Sequence, residues 1–143
     1  MKEPQSILIV DDSRFNRELL RGLIHSLGYV SHTADNDQSA LAAIRSTPPE
    51  LVLLDILMPQ TDGHEVLNHM RRENLLHQIP VLVVSAVDDQ NSIARCIEAG
   101  ADDYLIKPFN QVLLRSRITG SLEKKRLRDQ EKENPGVRPG LLT

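Results

Sequence analysis

Three short, unbroken apolar runs punctuate the chain: Ile7-Leu-Ile-Val10, Leu51-Val-Leu-Leu54 and Val81-Leu-Val-Val84. Runs this short, rich in branched residues and without polar alternation, are the pattern of strands buried on both faces, as in the middle of a parallel sheet. Between them the spacing becomes helical. Phe15, Leu19, Leu20, Leu23, Ile24 and Leu27 mark one helical face, and Ala40, Leu41, Ala43 and Ile44 mark another. Gly28 ends the first helix, which either Asp12 or Ser13 is placed to cap. Weaker strands are expected over 29–33 and 103–106, and helices over 63–72, 91–99 and from Asn110 onward. Strands alternating with helices require right-handed crossovers, so the expected architecture is α/β: a doubly wound, five-stranded parallel sheet with helices on both faces.

Composition narrows the class. A chain of 143 residues, 40% of them hydrophobic, is the size of one domain with one substantial core. Lys and Arg total 17 against 20 Asp and Glu, a formal charge of −3, so nothing global points to nucleic acid or to an anionic membrane. No apolar run approaches the ~18 residues of a membrane span, and no cleavable signal precedes the first strand, which makes a cytoplasmic protein the expectation. The single cysteine, Cys96, excludes an internal disulfide and reads as a buried small side chain on a helix. The five histidines form no i, i+4 pair of the kind that builds metal sites.

In an open α/β sheet, ligands sit beyond the carboxyl ends of the strands. The first strand ends in Asp11-Asp12, the third in Asp55, the fourth in Ser85, and the fifth is followed by Lys107-Pro108. Three crowded carboxylates repel one another unless a cation is present, and a hard divalent ion that keeps several waters, Mg2+ above all, suits them. A lysine supplies a compact positive charge for a phosphate oxygen, and a serine hydroxyl donates to another. Singly, each piece also has a plain structural reading: a helix cap at Asp12, a turn at Lys107-Pro108, a loop start at Ser85. Asp55 has the weakest such reading, since a carboxylate continuing a buried strand is costly without a partner. Coincidence at successive strand ends is what points to chemistry.

Four blocks, Ile7-Leu-Ile-Val-Asp-Asp-Ser13, Leu53-Leu-Asp-Ile-Leu-Met-Pro-Gln-Thr-Asp-Gly63, Val83-Val-Ser-Ala86 and Gly100-Ala-Asp-Asp-Tyr-Leu-Ile-Lys-Pro-Phe109, resemble the signature blocks of response-regulator receiver domains. The resemblance runs from about Ser6 to Lys125 and implies a flavodoxin-like sheet of strand order 2-1-3-4-5. It implies that Asp55 is the phosphoacceptor, that Asp12 ligates Mg2+ directly and Asp11 through water, and that the Leu57 carbonyl completes the protein ligands. Lys107 and Ser85 would bind phosphoryl oxygens, Pro108 would follow a cis peptide bond, and Ser85 with Tyr104 would form the switch pair. The implied partners are a sensor histidine kinase or histidine phosphotransfer protein and a downstream protein target, in a phosphorylation-dependent switch of a two-component system. A homodimer would use the last helix or the face of the fourth helix, fifth strand and fifth helix; no nucleic acid or membrane partner is implied.

Leu57 and Val87, two residues beyond the phosphoacceptor and the switch serine, depart from the polar residues often found there. Neither side chain can orient a water, so slow loss of phosphate is expected. A relay or sink receiver without direct output is the alternative within the family. A Mg-dependent aspartyl-phosphate phosphatase would want an acid where Leu57 stands, and a nucleotide- or flavin-binding module would want a glycine- or hydroxyl-rich loop where Asp11-Asp12 stands. The chain is therefore read as a signalling domain, not an enzyme. It divides into a receiver over 1–125, with its core at about 6–122, and a C-terminal helix extension and disordered tail over 126–143. Arg115 to Arg128 carries six basic residues against Glu123, and a stripe of Leu114, Ile118, Leu122 and Leu127 leaves room for either a solvated helix end or a partner helix.

Overall fold

The computed structural model describes residues 5–58 and 61–133. The strands are β1 (Ser6–Val10), β2 (Val30–Ala34), β3 (Leu51–Leu54), β4 (Leu57–Met58), β5 (Thr61–Asp62), β6 (Val81–Ser85) and β7 (Asp103–Ile106). The helices are α1 (Arg14–Ser26), α2 (Asp37–Ser46), α3 (Gly63–Arg72), α4 (Gln90–Glu98) and α5 (Gln111–Glu133). Five strands form a parallel sheet in the order β2-β1-β3-β6-β7, the expected order once the two-residue strands are set aside. Those two, β4 and β5, pair antiparallel as a separate ribbon that the apolar pattern did not foretell, because two residues carry no periodicity.

Strand alternation divides the core in two. Ile7, Ile9, Leu51, Leu53, Leu82 and Val84 face α1 and α5, while Leu8, Val10, Val52, Leu54, Val81 and Val83 face α2, α3 and α4. Each such side chain contributes roughly 1.5–3 kcal/mol on burial, so a one-residue slip of any central strand would exchange the two faces at large cost. Cys96 is fully buried against the α2–α4 side, as its helical setting suggested.

The helix ends follow local chemistry. Ser13, not Asp12, caps α1: its Oγ accepts the Asn16 N–H at 3.3 Å. At the other end Gly28 has φ +93°, a left-handed conformation that glycine adopts without a Cβ clash. Asn36 and Asp89 cap α2 and α4 by accepting the N–H groups of Ser39 and Ser92, each at 2.8 Å. In α5, Leu114, Ile118 and Leu122 are buried against this chain's own sheet, and Leu127 is about half exposed. The first three positions of the stripe are thus taken up within the domain, and Leu127 is not. The tail over 134–143 lies outside the described residues. Among the described residues no helix is long and apolar enough to cross a membrane.

Candidate functional site

The carboxyl edge of the sheet gathers the site. Ladder bonds continue one residue past the strands: the Asp11 N–H donates to the Ala34 carbonyl at 3.1 Å and the Asp55 N–H to the Val10 carbonyl at 2.9 Å. Because β1 and β3 are neighbours, the two carboxylates leave the sheet side by side. They are 1% and 7% exposed, so their charge demands a partner. Lys107, after β7, supplies it: its Nζ stands 3.0 Å from Asp11 Oδ2 and 3.0 Å from Asp55 Oδ2. Burial pulls the ammonium pKa down, but the charge of Asp55 and the hydrogen bonds to Asp11 and Asp55 more than offset it, and the net direction is upward. The lysine is therefore fully charged near neutrality.

Backbone donors complete both carboxylates. The Ser13 N–H donates to Asp11 Oδ1 and the Leu57 N–H to Asp55 Oδ1, each at 2.9 Å. The Lys107–Pro108 peptide bond is cis. Ser85, fully buried at the end of β6, accepts the Val87 N–H on its Oγ at 3.3 Å, and its carbonyl accepts the Lys107 N–H at 2.9 Å. Tyr104 is turned inward and donates its hydroxyl to the Val87 carbonyl at 2.5 Å. Burial raises the Tyr104 phenol above its ordinary pKa, while interaction with Ser85 pulls the other way. Val87 thus joins the serine to the tyrosine through its backbone, and its side chain packs partly against the α2–α4 core.

Of the residues singled out from the sequence, Asp11, Asp55 and Lys107 meet directly, and Ser85, Val87 and Tyr104 form a second hydrogen-bonded group on the neighbouring strands. Asp12 lies exposed beside them, and Leu57 exposes its side chain while its N–H faces Asp55. Among the described residues no three His, Cys, Asp or Glu side chains gather into a metal-binding cluster. The donor set nevertheless fits a hard cation. Its atoms are all oxygens, and the two buried carboxylates of Asp11 and Asp55 against one ammonium leave a net charge of −2 + 1 = −1, with Asp12 the next residue along the chain. Each oxygen of Asp11 and Asp55 is engaged by one donor, leaving a further lone pair for a metal.

Two supporting residues were missed. Arg17 reaches back six positions from α1 to donate to the Asp11 carbonyl at 2.9 Å, and a bond to a backbone carbonyl leaves no pattern in the sequence. Gly63 opens α3 so close behind the site that a Cβ there would overlap the Ile56 Cα and lie 2.8 Å from the Asp55 carbonyl oxygen. Beside Lys107, an apolar groove of about 270 Å3 runs between α1 and the start of α5, lined by Leu19, Leu20, Leu23, Pro108 and Phe109.

The model of the response regulator receiver domain family matches residues 7–119. The phosphate regulon transcriptional regulatory protein PhoB of Pseudomonas aeruginosa is 35% identical over 120 residues, covering 84% of this chain and 52% of its own length. Response regulator MprA of Mycobacterium ulcerans is 38% identical over 125 residues, covering 87% and 53% respectively. The chain thus spans about half the length of these curated relatives. Among solved structures, NtrX of Brucella abortus superposes with a TM-score of 0.84 at 30% identity, over 92% of this chain and 29% of NtrX. A CheY-like receiver domain protein of Methanospirillum hungatei gives 0.79 at 26% identity, over 87% and 98%. The chain belongs to the response regulator receiver domain family, the receiver domains of two-component response regulators.

Proposed function

We propose that Asp55 accepts a phosphoryl group and that residues 1–125 act as a phosphorylation-driven switch, with the residues beyond as an extension. The observation that carries this reading is the pairing of Asp55 and Asp11, both nearly buried, on the single ammonium of Lys107 at the carboxyl edge of the sheet. Asp11, Asp12, Asp55 and the Leu57 carbonyl would hold Mg2+, which when bound neutralises charge on the phosphoryl oxygens.

The chain's own groups do the rest. The Leu57 N–H bond to Oδ1 and the Lys107 bond to Oδ2 fix the plane of the Asp55 carboxylate, as in-line attack requires. As the carboxylate becomes an acyl phosphate, the lysine follows the charge onto the phosphoryl oxygens. Ser85 then donates its hydroxyl to the new group, and the Val87 and Tyr104 bonds that lead from Ser85 carry the change to β7 and α4.

The donor is a sensor histidine kinase or histidine phosphotransfer protein, and the groove beside Lys107, flanked by exposed Phe15 and Leu19, offers it a seat. The output is docking to a downstream protein, or to a second copy through α4, β7 and α5, where Ile97, Ile106 and Leu113 are exposed. Transfer from a purified phosphohistidine donor tests the reading: label should leave the donor for the wild-type chain and stay on it with Asp55→Asn. Equal transfer to both proteins would refute it.

A further inference from the structure

The basic run of α5 is not used by the site, and its placement inverts the usual helix pattern. Between Glu123 and Glu131 the side chains most withdrawn from solvent are the charged ones of Lys125 and Arg128, 18% and 34% exposed, whereas the one large apolar side chain, Leu127, is 49% exposed. The helix turns charge toward the domain and Leu127 toward solvent.

The inward charges all have addresses. Arg128 pairs with Asp102 at 2.9 Å and donates its other nitrogen to the carbonyls of Leu76 at 3.4 Å and His77 at 3.3 Å. Lys125 pairs with Glu50 at 3.3 Å and with Asp129 at 2.7 Å. Burial lowers the Lys125 pKa, but its acidic neighbours reverse the direction. Glu50 immediately precedes β3, Leu76 and His77 lie between α3 and β6, and Asp102 immediately precedes β7. Glu50 and Asp102 are thus at the roots of β3 and β7, whose far ends lead to Asp55 and Lys107, and Leu76 and His77 lie on the connection that leads into β6. Asp102 also bonds the β6 root, its N–H donating to the Val81 carbonyl at 2.8 Å.

We propose that residues 123–133 form a salt-labile strap: an arm of α5 held by Arg128 and Lys125 under the roots of β3, β6 and β7, which opens as a unit while the sheet stays folded. Leu114, Ile118 and Leu122 anchor the helix up to the strap, and the contacts that Lys125 and Arg128 make with the domain beyond Leu122 are ionic or to backbone carbonyls. A partly exposed ion pair shifts such an equilibrium by about two- to fivefold, which sets a strap poised between docked and open. Opening frees Asp102 and the two carbonyls and releases the α5 end from the strand roots. The inference is independent of phosphorylation at Asp55.

Hydrogen exchange followed by mass spectrometry on the full chain tests it. Wild type, Arg128→Ala, Asp102→Ala and the double variant are compared at low salt and near ~1 M salt, where the screening length falls to about 3 Å. Amides over 123–131 should exchange about two- to fivefold faster in Arg128→Ala and in wild type at high salt, with Val81–Ser85 unchanged. Alanine favours helix at least as well as arginine, so intrinsic propensity cannot produce that loss of protection. Adding Asp102→Ala to Arg128→Ala should accelerate exchange no further. Unchanged exchange in Arg128→Ala, equal acceleration across the sheet, or fully additive effects in the double variant would each overturn the strap.

Discussion

Lys107 Nζ lies 3.0 Å from Asp55 Oδ2 and makes an equal 3.0 Å contact with Asp11, so one cation holds two buried carboxylates in register. Lys107→Met leaves both facing each other. It should lower stability by about 1–3 kcal/mol, less than a fully enclosed pair because the lysine keeps some solvent contact. Asp55→Asn in the same chain should recover a large part of the loss. Urea unfolding midpoints check this, and a Lys107→Met midpoint equal to wild type would show that the carboxylates do not depend on the lysine.

Gly63 and Gly22 make a paired prediction. A Cβ at Gly63 collides with the Ile56 backbone and presses on the Asp55 carbonyl, whereas one at Gly22 meets nothing within 4 Å. Gly63→Ala should cost about 2 kcal/mol or more, since backbone has no rotamer with which to yield. Gly22→Ala, inside α1, should be neutral or stabilise by about 0.5–1 kcal/mol. Thermal unfolding of the two variants should move in different directions or by clearly different amounts.

Burial raises the Tyr104 phenol pKa, and the sign of the pH effect follows. The folded state favours the neutral phenol more than the unfolded chain does, so this contribution is fully present below the ordinary value of about 10. It is lost as pH climbs from there through the raised folded value. In a Tyr29→Phe chain, where Tyr104 is the remaining tyrosine, tyrosinate absorbance should rise only above the ordinary value. A midpoint at or below it would mean that the Val87 bond and the burial are not maintained in solution.

Leu57 exposes an apolar side chain beside Asp55, and the Val87 side chain packs partly against the core. Neither can orient an attacking water, so phosphate on Asp55 should be long-lived, and Leu57→Asn should shorten its lifetime several-fold. Decay measured after removal of the donor checks this. Equal lifetimes in the two proteins would place water control elsewhere.

Much of the fold was legible because the central strands are buried on both faces and must be continuously apolar. Ile7 to Val10, Leu51 to Leu54 and Val81 to Val84 could hardly be anything else, and the placement of Asp11, Asp55, Ser85 and Lys107 at one edge follows from a parallel sheet. What escaped was set by contacts distant in sequence or by very short elements. The β4–β5 ribbon is too short for a pattern. The choice between Asp12 and Ser13 as the α1 cap turned on backbone angles. The basic run of α5 fitted either a solvated helix end or a partner helix because Asp102, Glu50 and the Leu76 and His77 carbonyls come to it only through the fold. Lysine 107 was read as a phosphate ligand, and its bridging of two carboxylates follows from a register that spacing alone does not give.

The most direct test is the intact mass of the chain after incubation with acetyl phosphate and Mg2+, beside EDTA and Asp55→Asn controls. A gain of one phosphoryl group that needs both the metal and Asp55 is the predicted result. Phosphorylation that persists in Asp55→Asn, or no gain in wild type from either acetyl phosphate or a phosphohistidine donor, would contradict the assignment of Asp55 as the acceptor.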